Sequence, residues 1–130
     1  MIGILDPCAL IAFINEERGK GYEPVDDLIT RAATGEVTLS ISAVNLVEVY
    51  YCFIRQDGQE TADAIMQAID ALPITIIETV SSAIRRDAAR FKVLYAMSFA
   101  DTFLCAAAKK LSATGCNNFF RANLKIIWYT

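Results

Sequence analysis

Three carboxylates of this 130-residue chain stand in surroundings that should exclude them: Asp6 closes the apolar run from Ile2 to Leu5, Glu48 lies within SAVNLVEVYY, and Asp101 lies within SFADTFLCAAA. An ionised carboxylate is costly to desolvate unless a cation or hydrogen bonds compensate. The three acids therefore call for a shared partner, and a hard divalent ion such as Mg²⁺ or Mn²⁺ selects oxygen ligands of this kind and keeps waters for chemistry. Histidine is absent from the chain, which removes the serine, cysteine and metal chemistries that need an imidazole base or ligand. Each acid also has an ordinary structural use. Asp6 before Pro7 can cap the helix that follows, Glu48 can face solvent, and Asp101 can serve the amino end of its helix through the dipole.

The elements that must position these acids follow from periodicity. Ile2 to Leu5 is a short strand, and Ala9 to Ile14 follows at helical length. Val25, Leu28, Ile29 and Ala32 repeat at helical spacing until Gly35, and Val37, Leu39 and Ile41 then alternate with Thr38 and Ser40 as a strand does. Ser42 caps a helix from Ala43 to about Arg55. A helix from Thr61 to Leu72 is stopped by Pro73, and Ile74, Ile76 and Ile77 make a third strand. Ser81 or Ser82 opens a long helix containing Ile84, Ala88, Phe91 and Leu94, and Ser98 caps another through Leu111. A segment from Ala113 to Asn118 precedes Phe119 to Ala122, and Lys125 to Tyr129 is a final strand. Strands alternating with helices predict an α/β domain. The expected form is three layers, α/β/α, around a central parallel sheet of four to five strands, with functional groups at the carboxyl ends of the strands.

The bulk properties bound the rest. The length predicts a single domain spanning residues 1–130. The hydrophobic fraction of 55% is high, yet no apolar run approaches the length of a membrane span. Met1 to Leu10 has no basic head and does not read as a secretory signal, so a cytoplasmic location is expected. Cysteines 8, 52, 105 and 116 lack C-x-x-C spacing and read as reduced, small core residues. A net charge of −3 argues against strong non-specific adhesion to nucleic acid but leaves room for a nuclease that concentrates its acids around metal. Arg85, Arg86, Arg90 and Lys92 form the densest basic cluster, either a solvated helix face or a contact for an RNA backbone.

The stretches ILDPCALIAFINEE, SISAVNLVEVYYCFIR, MSFADTFLCAAAKKL and TGCNNFFRANLKIIWY resemble, in order and spacing, the motifs of the PIN domains, and among them the VapC-type toxins of prokaryotic toxin–antitoxin pairs. The resemblance spans nearly the whole chain. It implies a homodimer, a small antitoxin partner, and Mg²⁺- or Mn²⁺-dependent cleavage of RNA, with Asp6, Glu48 and Asp101 matching the first three acidic positions that bind metal and position water. An alternative is a PIN-like protein that keeps partner or RNA binding without turnover. Two departures stand out. Pro7-Cys8 replaces the small hydroxyl residue usual after the first acid, and the fourth motif, Gly115 to Phe119, carries no carboxylate, leaving Asn118 or Cys116 at its acidic position.

Overall fold

The computed structural model describes residues 2–19, 21–111 and 126–129. In chain order the elements are β1 (Ile2–Leu5), α1 (Pro7–Ile14), α2 (Tyr22–Ala33), β2 (Thr38–Ser42), α3 (Ala43–Asp57), α4 (Gln59–Asp70), β3 (Thr75–Ile77), α5 (Ser82–Leu94), α6 (Phe99–Leu111) and β4 (Ile126–Tyr129). The expected segments Ala113 to Asn118 and Phe119 to Ala122, with Cys116 and Asn118, lie outside the described residues.

Local chemistry sets the helix starts. Asp6 caps α1 by accepting a hydrogen bond from the Cys8 amide at 2.7 Å, and Pro7, which has no N–H to leave unpaired, occupies the first helical position. Ser42 does the same for α3 through the Val44 amide, and Ser81 for α5 through the Ile84 amide. Gly58, at a φ of 86°, ends α3 and opens α4, a backbone conformation that a side chain would strain. The sheet runs in the order β3-β2-β1-β4. β1, β2 and β3 are parallel, as expected, while β4 joins antiparallel with Ile126 opposite Leu5. Strand direction is set by where the chain enters the sheet, since side chains alternate with the same period either way.

Because successive strand residues face opposite sides, β1 sends Leu5 to one layer and Ile4 to the other. Leu5, Leu39 and Ile41 meet helices α1 to α4 through Leu10, Leu28, Val49, Phe53 and Ile69. Ile4 meets α6 through Leu104, Cys105 and Ala108, and α5 packs on α6 with Ile84 and Ala88 against Ala106. The result is the expected α/β/α arrangement. Cys105 is a small core residue as read from the sequence, but Cys8 is exposed, because the inward face of α1 is taken by Ala9, Leu10 and Ala12. Among the described residues no helix is long and apolar enough to cross a membrane.

Candidate functional site

The chain winds from β1 to β2 to β3 on one side and then places β4 on the other side of β1, so the switch point lies at β1. Ligand sites of open α/β sheets form at the carboxyl ends of strands beside such a point. Asp6 stands there, immediately after the last residue of β1, with only 1% of its surface accessible. It serves its helix as a cap and is a desolvated carboxylate at the same time.

Glu48 lies one turn into α3, the helix that leaves the carboxyl end of β2, and is half-buried. Its neighbours Leu46 and Val49 point into the core while Val47 is exposed, so the side chain sits at the margin of the packed face. Asp101 is half-buried in the first turn of α6, where its amide donates to the Ser98 hydroxyl at 3.1 Å. Thr102 beside it is buried and donates its hydroxyl to the Phe99 carbonyl at 2.6 Å, which further stiffens the turn. Helix α3 touches α6 and β2, and α6 touches β1, so the three acids are carried by elements that meet. Their side chains do not converge: among the described residues no three acidic or cysteine groups stand close enough together to hold an ion.

Sequence reasoning missed Asn45. This residue has no accessible surface, and its Nδ2 donates to the Ala100 carbonyl at 3.1 Å, joining α3 to the residue before Asp101. Its Oδ1 is a buried acceptor with no partner among the described residues. The signal was present as a lone amide in the apolar run AVNLVEV, three residues ahead of Glu48 and therefore on the same helix face. The donors around this seam fit a hard divalent cation, since they are all oxygens, one of them desolvated on Asp6 and one left unsatisfied on Asn45.

The basic cluster lies on α5, with Arg85, Arg86, Arg90 and Lys92 all exposed. Arg85 donates to the Val80 carbonyl at 3.1 Å and Lys92 to the Met97 carbonyl at 2.7 Å, so two of the four cations also brace the loops on either side of α5.

The chain belongs to the PIN domain family, whose model matches residues 4–115. Two solved structures share its fold. One is VapBC2 from Rickettsia felis bound to a DNA fragment from their promoter, at a TM-score of 0.65 and 17% identity over 84% of this chain and 81% of that one. The other is VapC20 of Mycobacterium tuberculosis, a toxin that cleaves the Sarcin–Ricin loop, at a TM-score of 0.62 and 18% identity over 85% of this chain and 83% of that one. No curated protein matches the sequence at a significant level. The fold is therefore that of a VapC-type PIN domain.

Proposed function

We propose that this protein is a cytoplasmic, single-domain endoribonuclease, dependent on Mg²⁺ or Mn²⁺, that acts as the toxin of a toxin–antitoxin pair. The observation that carries the reading is Asp6, a carboxylate with 1% accessible surface at the carboxyl end of β1 in a fold shared with VapC proteins. Asp6 and Asp101 are the main ligands in this scheme, and the half-buried Glu48 and Asp101 keep the rotamer freedom to close on an ion beside Asp6. A divalent ion held by these residues would supply polarisation of the phosphodiester and a water of lowered pKa. Glu48 orients that water by accepting a hydrogen bond from it. Arg86 and Arg90, exposed on α5, meet the RNA backbone, assisted by Arg85 and Lys92.

The partners of the proposal are a small antitoxin and a second copy of the chain. On helix α3, Phe53 is unavailable to a homodimer contact because it is buried in the core, whereas Tyr51 is exposed. Val93, Leu94 and Phe99 form a larger exposed apolar surface at the junction of α5 and α6 and are the better contact.

Purified protein with Mn²⁺ should cleave single-stranded RNA slowly, and EDTA or Asp101→Asn should lower the rate by at least about 100-fold, since a direct metal ligand outweighs the 10–100-fold typical of outer-shell groups. Activity that survives EDTA, or an unaltered Asp101→Asn variant, would sink the metal mechanism. A second reading, a PIN domain that binds without turnover, is favoured by the absence of any carboxylate from Gly115 to Phe119. Wild-type protein that binds RNA yet never cleaves it would select that reading.

A further inference from the structure

The buried amide of Asn45 has one half of its chemistry satisfied and the other half not. Ala100 offers a carbonyl oxygen, which can only accept, so the atom facing it is the donor Nδ2 and the orphan is Oδ1. Leaving a buried acceptor unsatisfied costs the desolvation of that group with no hydrogen bond to offset it. An apolar side chain of similar size would avoid that cost, and every other buried side chain on the inward face of α3 is apolar: Leu46, Val49 and Phe53. The residue stands three positions before Glu48 and holds the residue before Asp101. Its amide thus makes a side-chain hydrogen bond between the two helices that carry those acids.

We propose that Asn45 is a positioning residue of the acidic site. Its Nδ2 locks the start of α6 to the first turn of α3, which fixes the backbone of Asp101 relative to that of Glu48. Its Oδ1 accepts a hydrogen bond from a water in the hydration shell of the divalent ion. This rests on the metal-dependent reading above. Residues that orient metal ligands from outside typically contribute 10–100-fold to metal affinity.

Calorimetric titration with Mn²⁺, on wild type and on Asn45→Leu, tests the proposal beside a thermal melt of each without metal. Leucine keeps the branched shape of the side chain and removes both polar atoms. Mn²⁺ affinity should fall by about 10–100-fold, while the melting midpoint of the metal-free protein holds or rises. A lowered midpoint with unchanged Mn²⁺ affinity would show a purely structural residue and overturn the proposal. A second measurement needs no variant: with ¹⁵N-labelled asparagine, the Asn45 side-chain amide resonance of wild type should move during a Mg²⁺ titration and saturate with the calorimetric affinity. A stationary resonance in a protein that binds Mg²⁺ overturns the role of Asn45 alone, whereas wild-type protein that binds neither ion overturns the metal site and this inference with it.

Discussion

Against one face of the sheet, helices α1 to α4 set large side chains, with Phe53, Leu28, Leu10 and Ile69 fully buried among Leu39 and Ile41. Against the other face, α5 and α6 set mainly small ones, Ala88, Ala106, Ala107 and Ala108, around Leu104 and Ile84. Alanines let a helix approach closely but remove little apolar area from water per residue. The same side of the molecule leaves Val93, Leu94 and Phe99 at 85%, 69% and 68% exposure, next to the cations of α5. One face thus buries most of the large apolar side chains, and the other leaves apolar and basic surface exposed. The acids lie across the seam: Glu48 rides on a helix of the first face and Asp101 on a helix of the second, with Asn45 tying them.

The sharpest way to break this division is Phe53→Ala. Truncating a fully buried phenylalanine in the thick layer should lower the unfolding free energy by about 3–5 kcal/mol, read from denaturant midpoints. A loss below about 1 kcal/mol would mean that this layer does not dominate.

On the opposite face, Leu94→Asp should shift stability by no more than about 0.5 kcal/mol, since the side chain is already in water. The same change should convert the proposed dimer to a 14.3 kDa species in sedimentation at micromolar concentration. A variant that still sediments as the wild type does would move the dimer contact elsewhere.

The smallest effect tests how the thick layer is fastened at its rim, where the Tyr50 hydroxyl bonds to Asp63 and Gln59 donates to both. The Tyr50 hydrogen bond, followed by that of Gln59, holds the Asp63 carboxyl below its ordinary 3.8. Asp63, chiefly, and then burial hold the Tyr50 phenol above its ordinary 10.0. The carboxylate's contribution is present above its unfolded value and lost as pH falls through the lowered folded value. The phenol's contribution is present below about 10 and lost as pH rises through the raised one. Tyr50→Phe should therefore lower the melting midpoint slightly at neutral pH and bring its plot against pH together with that of wild type at both ends. An acid limb as steep as in wild type would mean that the pair does not couple α3 to α4.

Much of this architecture could be read from residues alone. Ser42 and Ser81 mark helix starts because a short hydroxyl side chain can reach a free amide of the first turn, and Ser98 does the same for the Asp101 amide. The helix expected from Thr61 to Leu72 runs instead from Gln59 to Asp70, because Gly58 supplies the turn that starts it and the residues before Pro73 resist helical backbone. The acids of the site were legible because a charge in an apolar run is conspicuous. Asn45 stood out in the same way, as a lone amide in AVNLVEV, but its sequence gives no sign of whether its oxygen is paired.

The sequence by itself determined which described segments are strands and helices, that a capping serine opens α3 and α5, and that Asp6, Glu48 and Asp101 need a reason to be where they are. These are properties of neighbours along the chain, governed by side-chain period and by hydrogen bonds that span a few residues. Only the tertiary structure decided that β4 enters antiparallel beside β1, that Phe53 belongs to the core while Cys8 does not, and that Asn45 bridges to Ala100, 55 residues away. Those outcomes depend on which distant groups compete for the same space and the same hydrogen bonds, and chain order alone does not encode that competition.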